Sequence, residues 1–117
     1  MKKKRNKLVG KIGWCDKETL GLGKDHYVFI RNQYGNKCSV NTLTSLKNKN
    51  GYYKIHKIRD IENGIVYPIP KKDITLPIFS GVHKNTIKNV PVSKIRNIGT
   101  HQLKRRHHHY IRKYVKK

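Results

Sequence analysis

The sequence predicts a mainly β domain: a small, strongly bent barrel followed by one basic C-terminal helix. Three observations lead there. Short runs of β-branched and aromatic residues recur between clusters of Gly, Asn and Asp, the pattern of strands and tight turns. Only the last stretch of chain repeats its apolar residues at helical spacing. The chain has 117 residues, 35 % of them hydrophobic, which suits one domain with one modest core.

Taken in order, Leu8–Trp14 (LVGKIGW) is short, apolar and interrupted by glycine, which predicts a bent first strand. Gly21–Asp25 (GLGKD) reads as a loop. The run His26–Arg31 (HYVFIR) is the strongest strand in the chain. The turn cluster Asn32–Lys37 folds it into a hairpin with Cys38–Thr44, where Val40, Thr42 and Thr44 share one face. Lys47–Gly51 ends in an Asn-Gly turn signal. Tyr52–Ile58 reads as a further alternating strand, and Ile65–Tyr67 as a short one. Pro68 and Pro70 confine the next segment to an edge or loop. Ser80–Lys84 reads as a plain turn in preference to an active-site loop, and Val90–Arg96 as the last strand. From Thr100, a candidate cap, to Tyr114, the residues Leu103, Tyr110, Ile111 and Tyr114 form a narrow helical stripe.

Charge divides the chain more sharply than hydropathy does. There are 28 Lys or Arg against 6 Asp or Glu, a formal net charge of +22. All the acids lie between Asp16 and Asp73, whereas Lys2, Lys3, Lys4, Arg5 and Lys7 crowd the start. Lys104, Arg105, Arg106, Arg112, Lys113, Lys116 and Lys117 crowd the end. The expected organisation is a basic arm over 1–7, a β domain over 8–99 and a basic helix or arm over 100–117. Such a charge calls for a polyanionic partner: RNA, with DNA or an acidic protein surface as alternatives. Nothing approaches the roughly 20 apolar residues of a membrane-spanning helix. The basic start leads into no apolar run of the secretory kind. Cys15 and Cys38 have no metal-binding or redox spacing and read as buried free thiols in a reducing, cytoplasmic setting.

The catalytic inventory is thin. No carboxylate pair stands at informative spacing, and Gly21–Lys24 lacks the spacing of a phosphate loop. The residues call for no metal or other cofactor. His, Arg, Thr and Ser remain, a set suited to metal-independent RNA cleavage. There the ribose 2′-hydroxyl is the nucleophile, and the protein supplies proton transfer and cationic stabilisation.

The segment His26–Leu46 (HYVFIRNQYGNKCSVNTLTSL) resembles the signature region of the MazF/PemK-like toxins. A hydrophobic strand ends at Asn32, Gly35-Asn36-Lys37 makes the turn, and Thr44-Ser45 closes the next strand. Val90–Ile98 (VPVSKIRNI) is similar to the family's late V-x-x-x-Q-I-R-T-I strand. The resemblance implies an SH3-like barrel, metal-independent endoribonuclease activity, an acidic antitoxin-like partner and a homodimer. Where the family carries an Arg implicated in cleavage, this chain reads Asp25-His26. The family's Thr is matched by Thr44. His26 as acid or base and Thr44 as phosphate contact or proton relay are therefore the catalytic candidates. Lys24, Arg31, Lys37, Arg96, Lys104, Arg105, Arg106, Arg112 and Lys113 are the candidate nucleic-acid contacts. Read from the residues alone, His26 also fits a surface histidine, Thr44 ordinary strand packing, and the whole chain a non-enzymatic, ribosome-associated RNA binder. Tyr34, Tyr52 and Tyr53 offer bases a stacking surface, with burial of at least one of the adjacent pair as the simpler reading.

Overall fold

A computed structural model describes residues 8–76 and 80–114, with only the backbone of residues 110 and 112–114. The arm expected over 1–7 lies outside them. Six strands form one antiparallel sheet: β1 (Lys11–Cys15), β2 (His26–Tyr34), β3 (Lys37–Ser45), β4 (Val66–Ile69), β5 (Ser80–Pro91) and β6 (Ile95–Gln102). Their spatial order is β4-β5-β3-β2-β1-β6. The helices are α1 (Lys17–Leu20), α2 (Ile55–Glu62) and α3 (Arg105–Tyr114).

The mainly β class and the basic terminal helix are as the sequence predicts, but the sheet is not closed into a barrel. Its edge strands β4 and β6 do not pair. The chain just beyond each does: Ile74 bridges Leu103, Thr75 N–H donates to Gln102 O (3.0 Å) and Lys104 N–H to Asp73 O (2.8 Å). Pro68 and Pro70, which carry no N–H, stand on the β4 edge where further ladder bonds would have to form.

Both faces of the sheet are covered. Ile12, Phe29, Leu43, Val82, Leu103 and Ile111 pack on one side. Val28, Ile30, Val40, Val90 and Ile95, with the free thiols Cys15 and Cys38, pack on the other. The unbroken Val28-Phe29-Ile30 run has this cause, since neighbours in a strand face opposite ways and each finds a core. Burial pushes the Cys38 thiol up to about 11. Two glycines admit close contacts. A Cβ at Gly81 would stand 2.4 Å from Val66 Cγ1, and one at Gly13 2.4 Å from Ile95 Cγ2.

Five local expectations are corrected. Tyr52–Ile58 is not a strand, because Ile55, Ile58 and Ile61 recur at helical spacing and the segment from Ile55 becomes α2. Neither adjacent tyrosine is buried: Tyr52 is 72 % and Tyr53 47 % exposed. Ser80–Lys84 is the start of β5, not a turn, and the late strand breaks at a 3-10 turn over Val92–Lys94. Thr100 caps nothing; it lies in β6, and α3 begins at Arg105. No helix among the described residues is long and apolar enough to cross a membrane.

Candidate functional site

On the face of the sheet that carries Val28 and Val40, beyond the packed core, three adjacent strands open a cleft of about 440 Å³. His26 from β2, Thr42 and Thr44 from β3, and His83, Asn85 and Ile87 from β5 make its floor. These residues alternate along their strands, so their side chains emerge together. The loop Leu22–Lys24 forms one wall. Lys54, His56 and Lys57, at the start of α2, form the other.

Local chemistry holds both walls. Asp16 caps α1 by accepting from Thr19 N–H (3.0 Å), and Gly21 ends it with φ 72°. Asp25 accepts from Lys17 N–H at 2.8 Å and so clamps the loop that presents Lys24. On the opposite side Lys54 N–H donates to Leu46 O (2.9 Å), docking the start of α2 beside the end of β3.

The two histidines of the floor are held in opposite tautomers. His26 Nδ1 lies 3.1 Å from Leu43 O. A carbonyl only accepts, so Nδ1 carries the proton and Nε2 of the neutral ring keeps its lone pair. His83 Nδ1 lies 3.3 Å from the backbone N of Asn85, an N–H that only donates. His83 therefore presents Nε2–H. Burial pulls the His83 pKa below the ordinary histidine value; Lys57, His26 and Lys84 add to the lowering and Asp60 opposes it. Burial also lowers Lys57, opposed by Asp60 and reinforced by Lys54 and Lys24. The cleft thus brings together a histidine lone pair, a neutral imidazole N–H, a threonine hydroxyl and three ammonium groups. Among the described residues no three His, Cys, Asp or Glu are grouped to hold a metal ion.

Three of the sequence-predicted residues, Lys24, His26 and Thr44, meet here. His83 lay in Ser80–Lys84, where a plain turn was preferred to an active-site loop. Lys54, His56 and Lys57 were missed because they lay in an expected strand, although the spacing of Ile55, Ile58 and Ile61 was the available signal for a helix. The remaining candidates lie elsewhere. Arg31 Nη1 donates to Thr86 Oγ1 (3.2 Å) on the opposite face, beside Lys88 and Asn89. Lys37 opens β3, and Arg96 is exposed on β6. Lys104 and Arg106 approach Asp73 at 3.6 and 2.8 Å, while Arg105 is exposed on the first turn of α3. Arg112 and Lys113 belong to the last turn of α3, and their side chains lie outside the described residues.

Comparison of the chain with protein-family models, with curated proteins and with solved structures returned no match.

Proposed function

We propose that this protein binds single-stranded RNA and cleaves it in the His26–Thr44 cleft without a metal ion. The observation that carries the reading is the hydrogen bond from His26 Nδ1 to Leu43 O, which aims a basic Nε2 at a cation-lined cleft. In the proposed reaction His26 Nε2 accepts the proton of a ribose 2′-hydroxyl as its oxygen attacks the adjoining phosphorus. The bond to the 5′-oxygen breaks, and that oxygen takes a proton from the Lys57 ammonium. A 2′,3′-cyclic phosphate and a 5′-hydroxyl result, and the protons balance. The lowered Lys57 pKa makes that ammonium a better acid than an exposed lysine. Thr44 and the His83 Nε2–H donate to the nonbridging oxygens, while Lys24 and Lys54 offset the developing charge.

The formal charge of +22 supports the choice of polyanion, and the resemblance of His26–Leu46 to the MazF/PemK-like toxins points to RNA. Under the same reading an acidic antitoxin-like protein is the expected protein partner, with a homodimer as the working assembly. Two free cysteines accord with a reducing, cytoplasmic location.

The test is incubation with a long unstructured RNA in EDTA, with product ends identified by mass. Discrete fragments ending in cyclic phosphate are expected. His26→Ala lowers the rate by roughly 100- to 10,000-fold, the usual range for a lost acid–base group, and Thr44→Ala lowers it less. Binding without cleavage would leave a non-enzymatic RNA-binding protein. Cleavage unaltered by either substitution would place the chemistry elsewhere.

A further inference from the structure

The β1–β6 edge of the sheet carries a second cleft, which the proposed reaction does not use. Ile12 pairs with His101 and Trp14 with Arg96, so Gly13 alone faces the four residues Asn97–Thr100. This wide bulge folds down onto Gly13, where an added Cβ would stand 3.2 Å from Ile98 Cγ1. It turns through two left-handed residues, Asn97 (φ 53°) and Gly99 (φ 90°). Asparagine tolerates that conformation better than most side chains, and here it leaves an amide at the cleft mouth.

The cleft holds about 250 Å³ between Trp14, Tyr27 and His101, with Asn97 and Thr100 completing its lining. Trp14 meets Tyr27 edge to face at 4.8 Å, and Tyr27 meets His101 in the same manner at 5.4 Å. All three rings are half-buried. An aromatic slot beside an amide and a hydroxyl suits a flat heterocycle with polar edges. Charge narrows the choice. Arg96, the cross-strand partner of Trp14, is exposed. The same bulge, through Gly99, also lines an adjoining cleft of about 490 Å³ with Lys11, Lys104 and Arg105. Aromatic and cationic surfaces therefore meet across one bulge, as a base and its phosphates would require.

We infer that the Trp14–Tyr27–His101 cleft binds an unpaired nucleobase of a single-stranded nucleic acid, whose phosphates lie on Lys11, Lys104 and Arg105. The inference rests on the nucleic-acid reading above but not on cleavage. Tyr27 and His26 are neighbours in β2 and face opposite ways, so this subsite lies across the sheet from the histidine cleft. It would hold the strand rather than cut it.

Trp14 is the single tryptophan of the chain, and its emission therefore reports on this cleft. The full-length protein is titrated at low salt with a short oligoadenylate and, separately, with inorganic polyphosphate as a base-free polyanion. Anisotropy of an end-labelled oligoadenylate follows binding independently. Saturable quenching by the oligoadenylate alone is expected. Trp14→Leu should weaken oligoadenylate binding roughly tenfold, the order of one lost base–aromatic stack, and leave polyphosphate binding unchanged. Asn97→Gly removes the amide while easing the backbone, so the fold is kept, and it should weaken oligoadenylate binding in the same selective way. Binding without quenching, or equal quenching by polyphosphate, would overturn the base site and leave the nucleic-acid reading standing. Failure of the labelled strand to bind at all would overturn both.

Discussion

His107 Nε2 lies 2.7 Å from Asp73 Oδ2, and that carboxylate is fully shielded from solvent. Because the carboxylate accepts, the ring donates through Nε2. In the neutral ring the other nitrogen, Nδ1, accepts from the Tyr67 hydroxyl at 3.0 Å. A Tyr67–His107–Asp73 relay so links β4, the turn after it and α3. Arg106 Nη2 adds a second donor at 2.8 Å. One buried acid anchors the whole C-terminal helix.

The first prediction concerns that anchor. Hydrogen bonds from Arg106 and His107 hold the Asp73 carboxyl far below the ordinary carboxylate range, against the opposing effect of burial. A carboxyl depressed on folding stabilises the native state above its unfolded pKa, near 3.9. That contribution fades as pH falls below it toward the folded value. Thermal unfolding of the wild type should therefore lose stability progressively below about pH 4. Asp73→Asn should have a lower Tm at neutral pH and lack this part of the acid dependence. Identical curves for the two proteins would rule the anchor out.

A second prediction follows from close packing. A Cβ at Gly81 would meet Val66 Cγ1 at 2.4 Å, Leu46 Cδ2 at 3.1 Å and Tyr67 O at 3.3 Å. Val66 and Leu46 are buried and have little room to yield. Gly81→Ala should destabilise by about 1–3 kcal/mol, as overpacked cores do. Gly23→Ala, with nothing within 4 Å, should be neutral or stabilising by about 0.4–1 kcal/mol. Urea midpoints of the two variants against wild type decide the matter.

The third prediction follows from His83. Its pKa is lower folded than unfolded, so between the two values the unfolded chain binds more protons and stability rises with pH. The contribution is complete above the ordinary histidine value, near 6.5, and shrinks below it. His83→Gln, which cannot titrate, should flatten the stability profile as pH falls below about 6.5. An unchanged slope in urea titrations across that range would contradict the assignment.

The fourth prediction is electrostatic. If the cleft ammonium groups contact phosphates, log K for single-stranded RNA falls with log salt by roughly 0.7 per contact. Lys24→Gln and Lys54→Gln should each reduce that slope by about one contact's worth. Anisotropy titrations at several salt concentrations measure it. Weakened binding with the slope unaltered would point to a shape effect instead.

Much of the β architecture was legible because its signals are local. Val28-Phe29-Ile30 carries strand propensity in its own side chains, and Asn36-Lys37 follows a glycine that turns at φ 63°. The terminal helix was legible in Leu103 and Ile111, which both reach the core. Its start was not, because Thr100 has a cap-forming side chain yet lies within β6, in the bulge opposite Gly13. The α2 segment misled for a related reason: Tyr53 and Ile55 alternate over a short span, while the helical period emerges only when Ile61 is included.

The site divides in the same way. The resemblance of His26–Leu46 to the MazF/PemK-like toxins, joined to residue types that suit chemistry at a phosphate, made His26, Thr44 and Lys24 candidates. That His83 joins them depends on β5 lying beside β3, with Leu43 opposite Val82 and Thr44 opposite Gly81. That Arg31 does not join them depends on the face it takes in β2. The tautomer of His26 depends on the carbonyl of Leu43, seventeen residues away in sequence. Propensity, turns and net charge are properties of short stretches and are written in the chain. Convergence and proton placement arise from long-range strand pairing, whose register no short stretch specifies.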